Sequence, residues 1–200
     1  MKKRNKILKN STKNQKRLYL LLIGLALLSF IIGIIFIFLI SNDNKILIKD
    51  NLTSYFNNYN SSLELFFKTL FNYFIYIIVI WILGISIIGI PLILFMYLFK
   101  FFVFGFSLSS IINSFGFKGI VISLLDLFPH KFSFLIILLL ITFYSLSFSI
   151  KLIKNLFFKK VINLKEAMSK YFKILIICLS ISLIITLYEV FISSFFIKLL

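Results

Sequence analysis

The stretch Trp81-Ile-Leu-Gly-Ile-Ser-Ile-Ile-Gly-Ile-Pro91 lies at the centre of thirty-one consecutive residues without charge, Thr69 to Phe99. A run of about 18 or more such residues predicts a transmembrane helix, because only a helix satisfies every backbone polar group within lipid. As one helix the run would be roughly 46 Å long, against a hydrocarbon core of about 30 Å. We therefore expect it either to tilt or to break near Gly89-Ile90-Pro91, since proline removes a backbone donor and clashes with the preceding turn.

The composition of the whole chain is that of a membrane protein. Its 200 residues are 61% hydrophobic and only 14% charged, with a mean hydropathy of +1.09. The short connections favour a single integral membrane domain over residues 18–200, behind a basic tail of residues 1–17. The predicted fold is all-α, a polytopic transmembrane helical bundle of about five spans. The spans are predicted at about 18–40, 70–99, 101–117, 132–150 and 174–197.

Basic residues set the predicted orientation. Eight of the 22 Lys and Arg residues lie in Lys2–Arg17 and seven in Lys151–Lys173, and both segments flank apolar runs. Such flanks favour the cytoplasm, so the N-terminus and the basic segment 151–173 are predicted inside and the charge-balanced outer loop 41–69 outside. The net charge of +16 then points to a bilayer with anionic headgroups, and we expect no nucleic acid partner.

Residues 119–130 are apolar but too short to cross a bilayer as a helix, and Asp126 interrupts them. We expect a re-entrant or interfacial element here, because four crossings then separate the two basic segments and place both in the cytoplasm. A six-span arrangement stays open if this element crosses and another segment departs from the predicted path.

Glu189 is the most informative single residue, because it interrupts the last span and a carboxylate is costly in lipid. One hypothesis is an interior proton, ion or partner contact, and the alternative is an interfacial position with local hydrogen bonds. A second cluster, Asp126, Pro129, His130 and Lys131, is predicted on the same outer side. Glu189 is therefore placed to pair with His130 or Lys131, although ordinary interfacial capping of a helix end is the favoured explanation of this second cluster.

Enzyme patterns are nearly absent from the sequence. One histidine excludes an H-E-x-x-H zinc site, and no Gly-rich phosphate loop occurs. Cys178 is the only cysteine, so an intrachain disulfide is excluded and a cysteine-based metal site is not expected. We predict no catalytic residue, no bound metal and no cofactor.

The stretch from Trp81 to Pro91, followed by Phe104-Gly105-Phe106 and Gly116-Phe-Lys-Gly119, resembles the stage II sporulation protein M family. Leu146-Ser-Phe-Ser-Ile150 before a basic segment, and Glu189 in the last span, extend the similarity over nearly the whole chain. Leu127-Phe-Pro129-His130 is similar to a Pro-His pattern of the wider membrane family, although Lys131 stands where a glycine usually follows. The family-like positions are Trp81, Gly84, Gly89, Pro91, Gly105 and Gly119.

The resemblance implies a non-enzymatic scaffold of the engulfment machinery in endospore formation. It implies that the protein resides in the mother-cell septal and engulfing membrane. The implied partners are two extracytoplasmic peptidoglycan hydrolases, the stage II sporulation proteins D and P. The outer loop and the element at Asp126–Lys131 are the expected contact surfaces.

A small transporter or channel component is the competing hypothesis. Its support is the small polar run Gly105–Asn113, the predicted helix break at Pro91 and the intramembrane Glu189, because broken helices and interior acids mark transport paths. Two hundred residues would need a homo-oligomer or a partner to enclose such a path. A membrane protein of the same broad family without a link to sporulation also stays open.

Overall fold

The computed structural model describes residues 2–57, 62–158 and 164–192, and it describes side chains from residue 15 on apart from those of 57, 126, 157, 158 and 192. The described residues are helical almost throughout and contain no strand. The α-helices are α1 (Lys2–Leu39), α2 (Asn42–Asn57), α3 (Leu63–Ile85), α4 (Gly89–Phe115), α5 (Phe117–Ile122), α6 (Ser133–Phe158) and α7 (Leu164–Leu187). Two π-helices follow α5 and α7, namely π1 (Ser123–Phe132) and π2 (Tyr188–Ile192).

Five helical stretches of the described chain are long and apolar enough to cross a membrane, so the predicted all-α bundle of about five spans is confirmed. They are Gln15–Leu39, Leu63–Ile85, Gly89–Phe115, Leu127–Leu156 and Leu164–Phe191. Large apolar side chains on them, such as Leu20, Phe71 and Phe95, are more than 60% exposed. Such an apolar outer surface suits contact with lipid and would be unusual on a soluble monomer.

The long uncharged run breaks before its proline. α3 ends at Ile85, and α4 begins at Gly89 after a turn of three residues. Pro91 therefore lies in the first turn of α4, where a backbone donor has no intrahelical partner to lose. The predicted spans 70–99 and 101–117 were thus divided in the wrong place, because Lys100 was taken as a membrane boundary although it lies inside α4.

The segment after α4 leads by a continuous helical path into the fourth span, which begins at Leu127. The chain reverses at Gly116, whose φ of 59° is in the left-handed region that glycine tolerates. From Phe117 the helical path then continues through α5 and π1 into α6 without turning back. Residues 127–130 of the predicted element therefore belong to the fourth span, and an interfacial position of residues 119–126 stays a prediction. The chain accommodates Pro129 inside a widened helix, so no loop is needed there.

Three other boundaries differ from those predicted. Most of the outer loop 41–69 is α2, and α3 begins at Leu63 with Ser62 as its N-cap, whose hydroxyl accepts the amide hydrogen of Leu65. The basic segment 151–173 is not a separate helix, since its ends belong to α6 and α7 and residues 159–163 lie outside the described chain. Residues 193–197 of the predicted last span also lie outside it.

Contacts between the spans fix their relative directions. Leu22 meets Tyr97 and Ile34 meets Ser109, so α1 and α4 run parallel. Successive spans alternate in direction, which divides the bundle into two ends. We call the end with Gln15 and the turn at 86–88 the tail end, and the end with α2, α5, π1 and π2 the far end.

Helices α1 and α4 meet through small residues on both sides. A Cβ atom added to Gly33 would overlap the carbonyl oxygen of Phe102, and one added to Gly105 would overlap the carbonyl oxygen of Phe30. Ser109 Oγ also donates a 3.1 Å hydrogen bond to the carbonyl oxygen of Ile34. Small residues let helices approach closely in lipid, where contact and hydrogen bonding drive association, so this crossing is a principal contact of the fold.

Candidate functional site

Three polar side chains from three helical segments meet in the half of the bundle that leads to the far end. The hydroxyl group of Tyr73 on α3 donates a 2.6 Å hydrogen bond to Oε2 of Glu189. The other carboxylate oxygen, Oε1, lies 3.5 Å from Nε2 of His130, within ion-pair range. The side chain of His130 is only 3% exposed and that of Glu189 is 16% exposed. This far-end cluster of Tyr73, His130 and Glu189 joins α3, π1 and π2 through one carboxylate.

Both ionisable partners, His130 and Glu189, lie in π-helical turns. His130 follows Pro129 in π1, and Glu189 is the second residue of π2. Inside an α-helix a proline clashes with the carbonyl group four residues earlier, and the wider π turn relieves that crowding. Ser133 Oγ donates a 2.5 Å hydrogen bond to the carbonyl oxygen of Pro129, which satisfies one backbone acceptor there. π-Helical turns are rare and occur frequently at functional sites.

Asp126 and Lys131 complete the set that the sequence singled out. The backbone of Asp126 belongs to π1, but its side chain lies outside the described part of the structure, so its predicted contact role stays a prediction. Lys131 is exposed and borders a cavity next to the far-end cluster. The structure therefore places Pro129, His130, Lys131 and Glu189 in one region.

That cavity has a volume of about 170 Å³ and lies between α2, α4 and π1. Its polar lining comes from Tyr55, Ser107, Ser110, His130 and Lys131, and the rest of its wall is aliphatic and aromatic. We call it the far-end cavity. Because His130 borders it and also lies beside Glu189, the cavity and the far-end cluster are neighbours.

Trp81 and Gly84 pack three helices together nearer the tail end. The hydroxyl group of Tyr171 on α7 donates a 2.8 Å hydrogen bond to the carbonyl oxygen of Trp81 and lies 2.7 Å from Ser145 Oγ on α6. A Cβ atom on Gly84 would overlap that same hydroxyl group. Ser149 Oγ donates a 2.6 Å hydrogen bond to the carbonyl oxygen of Gly84. These family-like residues therefore hold α3 against α6 and α7.

The remaining family-like positions are also structural. Gly89 and Pro91 start α4, and a Cβ atom on Gly89 would overlap the carbonyl oxygen of Leu83. Gly105 forms the crossing with α1, and Gly119 packs against the carbonyl oxygen of Ile111. The sequence motif thus specifies close backbone packing, and the far-end cluster is the part of the molecule with reactive side chains.

The chemistry of the far-end cluster is that of a contact or proton-sharing site. Within the described residues no group of three or more His, Cys, Asp and Glu side chains is placed to hold a metal ion. One carboxylate, one imidazole and one phenol can exchange hydrogen bonds and tie segments together.

Lys100 is the residue that sequence analysis missed. It is the twelfth residue of α4, roughly 17 Å along a helix axis from Gly89, so it lies near the middle of the span. Its ammonium nitrogen is 4.4 Å from the centre of the Tyr76 ring. Cations within about 6 Å of an aromatic ring are attracted to its face. An intramembrane charge of this kind is a functional hypothesis by default.

We expect Lys100→Met to raise the free energy of unfolding by about 1 kcal/mol. A lysine at mid-span costs about 3 kcal/mol on insertion scales, and a partly buried cation–π contact returns about 2 kcal/mol. Thermal unfolding in detergent measures the difference. Lys68→Met is the matched control, because Lys68 is exposed near the start of α3. A lower melting temperature for Lys100→Met alone would mean that Lys100 stabilises the bundle.

Comparison with known proteins gives one match. The family model described as stage II sporulation protein M matches residues 26–194, which include all the family-like positions and the far-end cluster. No curated protein and no solved structure is significantly similar to the chain.

Proposed function

Because the chain belongs to the stage II sporulation protein M family, we propose that it is a non-enzymatic membrane scaffold of the engulfment machinery. The family match and the five apolar helices make it a sporulation-related, multi-pass membrane protein. The proposal adds a location, the septal and engulfing membrane of the mother cell. It also adds partners, the peptidoglycan hydrolases called stage II sporulation proteins D and P.

The proposed orientation puts the far end outside the cytoplasm. Lys151 and Lys170 flank the tail-end junction of α6 and α7, and the tail of α1 carries eight further basic residues. Positive charge beside spans favours the cytoplasmic side, so α2, π1 and π2 face the wall. Hydrolases of the wall would then meet the protein at this end.

The main support for the proposal is that the far-end cluster links three helical segments into one rigid platform. Tyr73, His130 and Glu189 hold α3, π1 and π2 together. Beside them, α2 leans on α4 through Phe56 and Phe115, whose ring centres are 5.9 Å apart. The exposed surface of α2 carries Asp43, Lys49 and Asp50 beside the apolar Ile46 and Leu47, and such a mixed surface on a fixed base suits docking of a partner.

A scaffold of this kind acts through effective concentration. Holding a hydrolase beside the membrane turns its encounter with the wall into a local event, and a tether of suitable length raises the local concentration to the millimolar range. In this proposal the scaffold itself catalyses no reaction. Glu189 supports this role over transport, because its carboxylate is already held by Tyr73 and His130 across two neighbouring segments.

The first test is deletion of the gene in its host. Sporulating cells stained with a membrane dye should arrest at a flat or bulged septum, because the hydrolases are no longer held where the mother-cell membrane must migrate. Reintroducing the unchanged gene should restore migration. Normal engulfment in the deletion strain would overturn the scaffold role and favour transport.

A second test asks whether partner binding depends on the far end or on the tail end of the bundle. Changing Asp43, Lys49 and Asp50 to neutral amides should reduce co-purification of the two hydrolases about tenfold, which is the loss of one charged contact. The control is Glu166→Gln with Lys170→Gln, which removes an exposed pair 2.7 Å apart at the tail end and of little energetic value. Equal losses in both variants would argue against docking on α2.

A further inference from the structure

We propose that the far-end cavity binds one anionic phospholipid, with Lys131 at its phosphate group and the apolar wall against the start of an acyl chain. This inference does not depend on the scaffold role. It would hold or fail whatever partner the protein recruits.

The cavity combines the two surfaces that a phospholipid needs. Its apolar wall includes Leu52 on α2, Phe106 on α4 and Leu127 on π1. Its polar side includes Ser110, whose side chain is 3% exposed and whose hydroxyl group has no hydrogen-bond partner within the described chain. A buried hydroxyl group without a partner is costly, so a ligand oxygen at this point would remove an existing penalty.

The charge of the lining favours an anion. Lys131 is the cation at the exposed side, and His130 lies behind it. Every side chain described in the lining is basic, neutral polar or apolar, and the carboxylate of Glu189 lies on the other side of His130, 3.5 Å from its Nε2. A lysine ammonium group forms strong charge-assisted hydrogen bonds with a phosphate group.

The depth of the far-end cavity in the bundle favours a lipid over a water-soluble ligand. On α4 the lining runs from Phe106 to Ile111, which is four to nine residues before the end of the helix at Phe115. At 1.5 Å per residue that is roughly 6 to 14 Å below the far end. Elements that lie in the membrane interface bury their apolar faces to a similar depth, about 5–10 Å into the boundary between headgroups and acyl chains. A water-soluble peptide would have to enter the bilayer to fill the same space.

The size of the cavity sets how much of the lipid is held. A cavity of about 150 Å³ accommodates a benzene molecule, so about 170 Å³ takes the glycerol phosphate junction and a few methylene groups. The remainder of both chains stays in the bilayer. One site of this size predicts one retained lipid per chain.

The test uses the full chain, purified in detergent and incubated with dioleoyl phosphatidylglycerol or with zwitterionic dioleoyl phosphatidylcholine. Native mass spectrometry counts the lipids retained. We expect one phosphatidylglycerol, bound about tenfold more tightly than phosphatidylcholine, and about tenfold weaker binding in Lys131→Gln, as for loss of one charge-assisted hydrogen bond. Lys118→Gln is the matched control, because Lys118 is exposed at the same end and does not line the cavity.

A second variant probes the apolar wall. Leu52→Trp should fill the space and reduce retention of both lipids, and unchanged thermal unfolding will show that the bundle is intact. If that variant fails to fold, the comparison of Lys131→Gln with Lys118→Gln still decides. Equal retention of the two lipids, or equal losses in the two lysine variants, would overturn the proposal. So would displacement by millimolar glycerol phosphate, which would indicate a site for a soluble anion.

Discussion

Gly33→Leu should lower the free energy of unfolding by about 3 kcal/mol, the upper range for forcing extra atoms into a packed contact. For a chain of about this size that corresponds to a fall of about 6–12 °C in melting temperature. The reason is that a Cβ atom at Gly33 overlaps a backbone oxygen of α4, and a backbone atom cannot move aside as a flexible side chain can. The two helices must separate along their whole crossing.

The same helix supplies the matched control. Gly24 is exposed, and a Cβ atom added there meets no atom within 4 Å. Gly24→Leu should therefore be neutral or stabilising by up to about 1 kcal/mol, since leucine forms helix better than glycine. Thermal unfolding of both variants in the same detergent measures the contrast. Equal melting temperatures would show that α1 and α4 can separate without cost.

The partner glycine tests whether one interface is responsible. Gly105→Leu should destabilise the bundle about as much as Gly33→Leu, because each glycine faces the backbone of the opposite helix. Variants that open the same contact are not additive, so the double variant should cost clearly less than the sum. An additive double variant would place the two glycines in independent contacts.

The number of spans could be predicted from the sequence, because each span requires a long run of uncharged residues and such runs can be read directly from the sequence. Their ends could not. Lys100 was taken as a membrane boundary, yet α4 carries it in mid-span with its ammonium group over the ring of Tyr76. The true boundary is the uncharged turn at 86–88, which differs little in composition from the helices beside it. Charge marks the ends of spans only where no neighbour compensates it.

The candidate site was predictable in part for a similar reason. An acid in the last span and a histidine before the fourth are rare residues here, so placing both on one side brought Glu189 and His130 together as candidates. Tyr73 was missed, because it is one of nine tyrosines and lies 116 residues from Glu189 along the chain. The π-helices were missed as well. Pro129 predicts a helix end by its local chemistry, and only packing around it shows that the helix continues.

Glu189→Leu should lower the free energy of unfolding by about 3 kcal/mol, the upper range for leaving a buried polar group without its hydrogen-bond partner. The carboxylate holds two groups, the hydroxyl of Tyr73 and the ring of His130, and His130 is almost fully buried. Removing the carboxylate leaves the imidazole without this partner in a place that water hardly reaches. Thermal unfolding in detergent measures the loss, and engulfment in sporulating cells should fail with it if the far end is the docking base.

A double-mutant cycle distinguishes this coupling from a general defect. His130→Leu should cost a similar amount, but the double variant with Glu189→Leu should cost less than the sum, because two apolar side chains can pack in place of the polar pair. Tyr73→Phe should cost only about 1 kcal/mol, one hydrogen bond. The control is Tyr144→Phe, since Tyr144 is exposed on α6. Strict additivity of the His130 and Glu189 changes would mean that π1 and π2 are held together by apolar packing alone, without a contribution from this pair.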